Sequence, residues 1–404
     1  MNLIFLSGFF SDSIKNDIST NSIGAMQNAA DVLQKNYLDG FINNVDNVDN
    51  IKVVNVPFIG GYPGSYKEIY YSPAVKDEKY KGVEVKNISF LNLKGVKNIF
   101  RLTQSFLAIR KAKKCFNSGD VNIVSYSMHL PFLISCYLTS LFSSRVKYYI
   151  IVPDLPEFML ERKGVTARIY GAINKLSYYL VNKSDGASII TDNMKNKFDN
   201  KLNSVTIEGI ITEKKCEYSE SIEELGKYIL YSGTLDRRYG IRDLLESYID
   251  SGVDDVKLVV CGDGDDRKYL LEKSSINSNI VYLGQVEREK VRFLQNNAFI
   301  LVNPRNNEGE FTKYSFPSKT IEYMMSGRPL MMYKLDGMPS DYDNLFYEIE
   351  SKESFASLIR DVSTRSENEL NSFGVDVRNY MINNKSPKAQ VNKMLLMILG
   401  NKNV

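Results

Sequence analysis

Short, nearly continuous apolar runs alternate with segments of helical periodicity along most of the chain. The runs that predict strands are Asn2–Leu6, Ile51–Val56, Val121–Ser125, Lys147–Val152, Gly186–Ile190, Tyr228–Ser232, Lys257–Cys261, Asn279–Tyr282, Ala298–Val302 and Leu330–Tyr333. The predicted helices between them are Ser22–Gln34, Leu102–Phe116, Val165–Asn182, Arg242–Ile249, Arg267–Ser274, Glu287–Asn296 and Ser318–Met325. Such alternation is typical of parallel sheets covered by helices on both faces, so we predict an α/β fold.

A charged segment that is poor in aromatic residues interrupts this alternation and predicts two domains. A chain of 404 residues is also too long for a single hydrophobic core. We assign one Rossmann-like domain to residues 1–205, a linker to 206–226, a second Rossmann-like domain to 227–385 and a final helical segment to 386–404. Doubly wound parallel sheets bind ligands at the carboxyl ends of their strands, so we expect a functional cleft between the domains.

The segment SFPSKTIEYMMSGRP, residues 315–329, is the most informative part of the chain. Proline favours the first turn of a helix and glycine follows the last, which predicts a helix from Pro317–Ser318 to Gly327. Its first turn would offer free N–H groups and a positive dipole end to a phosphate. Lys319 and, one turn later, Glu322 could then bind the diphosphate and ribose hydroxyls of a nucleotide. From the spacing alone, an ordinary buried helix is an equal alternative.

Composition argues against several kinds of protein and site. No apolar run reaches the roughly 18 residues that cross a bilayer, and the longest, Leu130–Phe142, is interpreted as a buried helix. The amino terminus lacks a basic leader and is interpreted as a first strand rather than a signal peptide. His129 is the only histidine and the four cysteines form no CxxC pair, which argues against a zinc site and favours a reducing cytoplasmic compartment.

Positive charge is concentrated in residues 94–183, which hold fourteen Lys or Arg residues and four acidic ones, although the whole chain carries only +3. A predicted helix in this segment places Leu102, Phe106, Ile109 and Phe116 on one face and Arg110, Lys111, Lys113 and Lys114 on the other. This pattern favours peripheral binding to an anionic membrane surface. A core-facing helix with a solvated back is an equal alternative. No nucleic-acid-binding motif accompanies the charge, so we expect no nucleic acid partner.

Turns that follow strands in the second domain carry residues suited to a nucleotide sugar. Gly233 and Arg238 follow the first strand of that domain, and Gly262 and Val286 follow the next two. Arginine binds diphosphate oxygens with two parallel hydrogen bonds, although a solvated turn is the alternative for Arg238.

Acidic residues in the same turns raise the question of a metal. The sequence Asp263-Gly264-Asp265 could chelate a divalent cation, but glycine and aspartate are also ordinary turn residues at this position. We therefore expect no metal site. Residues 303–312 add Arg305, Glu308 and Glu310 to the predicted cleft, where most such charges are solvated.

Three residues of the first domain are candidates for the same cleft. His129 and Asp154 each follow a predicted strand, and Gly24 is predicted to open a helix where a missing side chain would let a ligand approach the backbone. A single histidine is usually structural, but this placement makes a functional role equally plausible.

Four segments of the second domain resemble, in order, the retaining glycosyltransferases of family 4, which have the GT-B fold. They are YSGTLDRRYGIRDLLES, VKLVVCGDGDDRKYLLE, NIVYLGQVEREKVRFLQNNAFILVNP and SFPSKTIEYMMSGRPLM. The first domain matches more loosely, through SIGAMQNAADVL, the His129 loop and KSDGASIITDNMKNKF. The resemblance implies two Rossmann-like doubly wound domains with a cleft between them, and a last helix that crosses back to the first domain.

The resemblance also implies roles for the candidate residues. Glu322 would bind the ribose hydroxyls, and the amides of Pro317, Ser318 and Lys319 would hold the phosphates with help from Arg238 and Gly24. His129 would approach the donor sugar from the first domain, where Asp154 lies on the acceptor side. Gly233, Gly262 and Val286 complete the donor-binding set.

The sequence departs from the family pattern at three positions. The family commonly has a second glutamate eight residues before Glu322, where this chain has Tyr314. Glu310 is the proposed substitute. The family's Arg and Lys in the first turn of the second domain correspond here to Thr234 and Tyr239, and Arg238 is the proposed replacement.

We therefore expect a metal-independent retaining glycosyltransferase that acts on the inner face of a bacterial cell membrane. A nucleotide-diphosphate sugar, with a UDP-sugar favoured, would be the donor, and no cofactor is expected. The acceptor would be a lipid-linked saccharide in surface polysaccharide synthesis. A sugar-nucleotide epimerase of the same fold and a catalytically silent, membrane-docked partner of a glycosylation complex are the alternatives.

Overall fold

The computed structural model describes residues 1–159, 164–213, 216–219 and 222–400. Parts of the predicted basic segment (160–163) and of the predicted linker (214, 215, 220 and 221) lie outside the described residues. The chain divides into two units, which we call unit 1 (Met1–Ile210 with Ser386–Val404) and unit 2 (Ile211–Lys385). In the described residues, no helix is both long and apolar enough to span a membrane.

Unit 1 is built on an eight-stranded sheet with the order β10-β9-β8-β7-β1-β2-β5-β4. Its strands, with a separate β3–β6 pair, are β1 (Asn2–Ser7), β2 (Ile51–Asn55), β3 (Tyr70–Tyr71), β4 (Asp77–Tyr80), β5 (Val83–Asn87), β6 (Phe90–Leu91), β7 (Val121–Tyr126), β8 (Val146–Val152), β9 (Gly186–Ile189) and β10 (Ser204–Thr206). The helices are α1 (Asp12–Asn21), α2 (Asn28–Asn44), α3 (Lys97–Lys113), α4 (Leu130–Leu141), α5 (Pro156–Met159) and α6 (Gly164–Asn182). Every pair in the large sheet is parallel except β4 with β5.

Unit 2 is built on a six-stranded parallel sheet with the order β13-β12-β11-β14-β15-β16. Its strands are β11 (Tyr228–Ser232), β12 (Lys257–Cys261), β13 (Ile280–Tyr282), β14 (Ile300–Asn303), β15 (Leu330–Met332) and β16 (Tyr347–Glu348). Its helices are α7 (Ile241–Ser251), α8 (Arg267–Ile276), α9 (Arg288–Asn297), α10 (Ser318–Met325), α11 (Lys352–Ser363) and α12 (Glu367–Lys385). Numbered from β11, the strand order 3-2-1-4-5-6 is that of a Rossmann fold.

The last helix, α13 (Pro387–Ile398), belongs to unit 1 and packs against α2. Gly40 of α2 permits this packing, because a Cβ at that position would overlap with Pro387 O and with the side chain of Val391. The Ser386 hydroxyl caps the helix by accepting a hydrogen bond from the Ala389 N–H.

The predicted α/β class and the two doubly wound sheets are confirmed, but one predicted helix is wrong at its start. Residues 22–27 form a loop rather than the first turns of a helix, and α2 begins at Asn28. Ser22 instead forms a β-bridge with Tyr66, and the Ile23 N–H donates to Ser65 O. Gly24, which has a φ of +89°, therefore lies in a loop and does not open the helix.

Candidate functional site

The candidate site in unit 2 lies where the strand order reverses, at the carboxyl ends of β11 and β14. Helices leave these two strands toward opposite faces of the sheet, which opens a crevice in Rossmann-like folds. Ser232 ends β11 and Asn303 ends β14. The donor-site residues predicted from the sequence, apart from Gly24 and His129 in unit 1, belong to loops or helices that follow strands of this sheet.

The loops that follow β11, β12 and β13 are joined by main-chain hydrogen bonds. The Gly233 N–H donates to Cys261 O at 2.9 Å, and the Gly262 N–H donates to Gly284 O at 2.8 Å. Gly262 has a φ of +137°, and a Cβ there would overlap with Gly233 O. Glycine at position 262 is therefore required for the first two loops to touch, which leaves a crowded and rigid backbone at this edge.

Helix α10 begins at Ser318, as the sequence predicts, and points its amino terminus toward the same edge. Pro317 is the N-cap residue, no side chain caps the helix, and no acidic residue occupies its first turn. The positive end of the helix dipole is therefore not neutralised by its own sequence. The prediction that the Pro317 amide binds a phosphate is wrong, because proline has no N–H. Pro317 can only shape the turn. The amides of Ser318 and Lys319 remain candidates for that role.

Lys319 reaches from the first turn of α10 to the end of β11. Its Nζ donates to Ser232 O, which also accepts from the Tyr323 hydroxyl at 3.0 Å. Desolvation, partly offset by the attraction of Glu322, lowers the pKa of the Lys319 ammonium below its ordinary value. No carboxylate forms an ion pair with Lys319 among the described residues, so a partly desolvated cation stands at the helix terminus. Such a group suits an anionic ligand.

Two of the other donor candidates also lie near the sheet. Glu322 is partly buried, one turn along α10 from Lys319. Val286 packs against the core that lies between this sheet and helices α9, α10 and α12. Glu310, by contrast, is exposed at the start of a short 3-10 helix, and its contribution stays a prediction.

Arg238 is largely committed to its own turn. Its side chain is 78% exposed, and its guanidinium forms a 2.6 Å ion pair with Asp236. To bind a diphosphate, the guanidinium would have to leave this carboxylate. Its predicted role stays a prediction.

Arg305 is a cation at this edge that the sequence analysis placed in the predicted cleft without assigning it a role. It follows β14, its guanidinium lies over the rings of Tyr239 (5.9 Å) and Phe311 (5.0 Å), and Nη2 donates to Ser315 Oγ at 3.2 Å. Its Nε is buried without a hydrogen-bond partner, and desolvation lowers the pKa of the group. No carboxylate pairs with it among the described residues. The signal in the sequence was its position two residues after a buried strand.

The acidic residues that follow β12 serve the turn in which they lie. Asp263 Oδ1 accepts from the Gly264 N–H at 2.9 Å, and Asp266 pairs with Arg242 at 2.5 Å. Across the described ranges, no group of three or more His, Cys, Asp or Glu side chains is arranged to hold a metal ion.

In unit 1, His129 lies just after β7, where the order of that sheet reverses between β1 and β7. Its ring packs edge-on against Phe58 (5.4 Å) and Phe132 (5.0 Å). Desolvation, with the charges of Arg101 and Lys97, lowers the pKa of His129 well below its ordinary value. The imidazole is therefore neutral at pH 7.

Asp154 follows β8 at the same edge of this sheet. Part of its side chain reaches solvent, yet the protein around it desolvates the carboxylate and raises its pKa to about 6. Its charge also raises the pKa of Tyr126, second to desolvation, and the Tyr126 ring lies 6.1 Å from that of Phe58. Asp154 and His129 therefore follow neighbouring strands at the same edge of this sheet, and the Phe58 ring lies near both His129 and Tyr126.

Comparison with known proteins agrees with this architecture. Residues 226–365, within unit 2, match the family model described as glycosyl transferases group 1. A search of curated protein sequences gives no match.

Solved structures of similar fold include three enzymes that match along nearly the whole chain. They are a sucrose-phosphate synthase from Thermosynechococcus elongatus (11% identity, 99% of both chains, TM-score 0.58), an α,α-trehalose-phosphate synthase (UDP-forming) from Burkholderia vietnamiensis (11%, 99% of this chain and 100% of the other, 0.59) and the apo form of a lipopolysaccharide outer core galactosyltransferase (13%, 99% of both, 0.57). At these identities the likeness shows the fold, which is the GT-B fold of glycosyltransferases.

Proposed function

We propose that the protein is a retaining glycosyltransferase that moves a sugar from a nucleotide-diphosphate sugar to a lipid-linked saccharide acceptor in bacterial surface polysaccharide synthesis. The observation that carries this proposal is the uncapped amino terminus of α10 at the switch point of unit 2, with the desolvated Lys319 in its first turn. A helix amino terminus with an adjacent cation is a general solution for binding phosphate. The match of residues 226–365 to a glycosyltransferase family model supports the same assignment.

The donor would lie along the carboxyl edge of the unit 2 sheet. The Ser318 and Lys319 amides and the Lys319 ammonium would bind the diphosphate, and Glu322 would accept hydrogen bonds from the ribose hydroxyls. Arg305 would add a second positive charge, which the sequence expected from Arg238. The glycine backbone at Gly233 and Gly262 would allow close approach of the nucleotide.

In the proposed reaction, the acceptor hydroxyl attacks the anomeric carbon from the face that the diphosphate leaves. The new bond joins the acceptor oxygen to the anomeric carbon, and the bond from that carbon to the diphosphate oxygen breaks. Both electrons of the broken bond pass to the diphosphate, and a leaving phosphate oxygen takes the hydroxyl proton. Lys319 and the α10 amides stabilise the charge that develops on the diphosphate, so this chain's own groups suffice for the leaving-group chemistry.

A thermal-shift screen with UDP-, GDP-, ADP- and dTDP-sugars tests the proposal. We expect at least one of them to raise the melting temperature, because a ligand that binds only the folded state stabilises it by RT ln(1 + [L]/Kd). UDP-glucose and UDP-galactose are the first choices, since one enzyme of this fold is described as UDP-forming.

Product analysis separates the enzyme from the alternatives. A nucleotide sugar that binds, with release of the nucleoside diphosphate when an acceptor is added, supports transfer. Binding followed by conversion of one nucleotide sugar into another would support an epimerase, and no response to any nucleotide sugar would reject the proposed function.

We also propose that unit 1 docks on an anionic membrane from the cytoplasmic side through the outer faces of α3, α4 and α6. Helix α4 packs against both α3 and α6, so the three helices form one side of the unit. Large apolar side chains are exposed on them or just beyond: Ile99 (62%), Leu107 (57%), Leu141 (61%), Phe142 (72%), Ile169 (55%), Leu176 (42%) and Tyr179 (50%). Exposed basic residues lie on the same helices, namely Arg110, Lys111, Arg168 and Lys175.

The occupant of this surface is argued from its charge. Apolar side chains beside lysine and arginine complement the acyl boundary and the anionic headgroups of a bilayer, and either contribution alone gives weak binding. The basic residues at 162 and 163 lie outside the described residues.

Flotation with phosphatidylglycerol vesicles tests this surface. We expect binding at low salt that weakens at high salt, because screening reduces the attraction of the exposed lysines. Replacing Ile99 and Leu107 with serine should reduce flotation severalfold, whereas Leu271→Ser, an exposed leucine of unit 2 (46%), is the matched control. Absence of binding at low salt, or an equal loss in the control, would reject this part of the proposal.

A further inference from the structure

Three basic side chains of unit 1 lie together around the loop that follows β2, and none of them has an acidic partner among the residues that the structure describes. They are Lys97 and Arg101 on the first turns of α3, and His129 after β7. Arg101 is 3% exposed, and its Nη2 donates to Pro57 O at 2.7 Å. The guanidinium also lies over the rings of Phe58 (5.9 Å) and Phe90 (4.7 Å), and the Phe58 ring contacts His129.

Within the described part of the chain, no acidic side chain compensates for the burial of these positive groups. Desolvation lowers the pKa of Arg101 to about 10, and desolvation with the charge of Arg101 lowers that of Lys97 to about 8. Both therefore remain mostly charged at pH 7. Arg101 Nε and His129 Nε2 are buried without hydrogen-bond partners. Buried cations that lack a counter-ion cost stability, and an anion would remove much of that cost.

The adjoining backbone offers further donors. Lys97 is partly buried, and its Nζ donates to Ile59 O at 3.3 Å and lies 3.5 Å from where a Cβ of Gly61 would be. The amide N–H groups of Gly60 and Gly61 have no hydrogen-bond partner in the described residues. Helix α3 begins at Lys97 with no acidic residue in its first turn. Unpaired backbone amides close to an ammonium are groups that can donate hydrogen bonds to a phosphate.

We infer that unit 1 holds a phosphate-binding site formed by Lys97 and the amides of Gly60 and Gly61, in the positive field of the buried Arg101. A phosphate group of charge near −2 matches the two fixed cations better than a carboxylate does. Given the proposed function, we assign this phosphate to the acceptor, which would therefore be a phosphorylated sugar or a polyprenyl-phosphate-linked one. The diphosphate of the donor is the other source of the same chemistry.

The single histidine of the chain provides a direct readout. Because His129 is the only histidine, its imidazole NMR signals need no assignment. Arg101 and Lys97 both contribute to the low pKa of His129, so a bound anion should raise that pKa and shift the ring signals. Inorganic phosphate and farnesyl phosphate are the probes for the acceptor side, and UDP is the probe for the donor.

We expect both phosphate probes to shift the His129 signals in the wild-type protein and Lys97→Gln to weaken that response by roughly tenfold or more, since a charge-assisted hydrogen bond is lost. Lys201→Gln removes an exposed lysine of unit 1 and should respond as the wild type does. No phosphate response in the wild type, or an equal response in Lys97→Gln, overturns the site.

The titration with UDP distinguishes this inference from the proposed function. A response of His129 to UDP that disappears in Lys319→Gln, without a response to farnesyl phosphate, would assign the anion to the donor and overturn the acceptor assignment. The phosphate response does not require nucleotide-sugar binding, so the site in unit 1 can stand if the donor screen fails, and the converse also holds.

Discussion

Lys319→Gln should lower kcat/KM for the nucleotide-sugar donor by about 100- to 1,000-fold, the usual cost of removing one preorganised donor to a developing oxyanion. The ammonium is partly desolvated at the start of α10 and has no carboxylate pair among the described residues, so its interaction with a diphosphate would be weakly screened. The melting-temperature shift caused by the donor should disappear with it. Steady-state kinetics and thermal shift measure the two effects.

The same substitution should not destabilise the empty protein. Desolvation lowers the pKa of Lys319, which means that folding disfavours its charged form, so a neutral side chain should leave the melting temperature equal or higher. Lys268→Gln, an exposed lysine on α8 of the same unit, is the matched control and should change neither quantity. A Lys319→Gln protein that binds and turns over the donor normally would reject the assignment of α10. A large fall in melting temperature would instead indicate a structural role for the lysine.

Gly262→Ala should destabilise unit 2 by at least about 3 kcal/mol, as expected for a substitution that forces two backbone segments apart. Its Cβ would overlap with the carbonyl oxygen of Gly233, and its φ of +137° is strongly disfavoured for alanine. The affected atoms are main-chain atoms of an interlocked loop pair, so no side-chain rotation can relieve the overlap. Urea unfolding followed by far-UV circular dichroism measures the loss.

Gly252→Ala separates backbone strain from steric overlap in the same unit. Gly252 also has a positive φ, +67°, but a Cβ there would have no atom within 4 Å. We expect it to cost only about 1–2 kcal/mol. Equal midpoints for the two variants would show that the loops after β11 and β12 are not packed as described.

Local signals predicted the strands and helices of unit 2 from β11 to β15, whereas β16, α11 and α12 were not predicted. Strands β11 and β12 and helix α10 have the predicted bounds, because apolar runs flanked by glycine and proline determine such elements within a few residues of chain. Short or weakly apolar elements of unit 1 were missed. Helix α1 has only two apolar residues, Ile14 and Ile18, and each strand of the β3–β6 pair has only two residues, so neither element gives a periodic signal.

The sequence predicted where the candidate residues lie in the fold better than it predicted what they do. The sequence placed Lys319, Gly233 and Gly262 after strands of one sheet, and parallel strands bring such residues to one edge. Arg238 pairs with Asp236 two residues earlier in the same turn, a local contact that the sequence analysis did not weigh. The sequence could not show that Arg305 has no acidic partner in the described residues, because that depends on how loops distant in sequence meet. The cluster of Lys97, Arg101 and His129 was hidden for the same reason.

The sequence by itself therefore determined the α/β class, the two-domain division and the phosphate-suited start of α10, since each depends on periodicity or on residues adjacent in the chain. Only the tertiary structure decided which charges are neutralised and which remain unpaired. For Arg305, Lys97 and Arg101, that distinction depends on distances and desolvation between segments far apart in sequence. For this reason we propose Arg305 rather than Arg238 as the second cation of the donor site, and Lys97 as part of a phosphate site in unit 1.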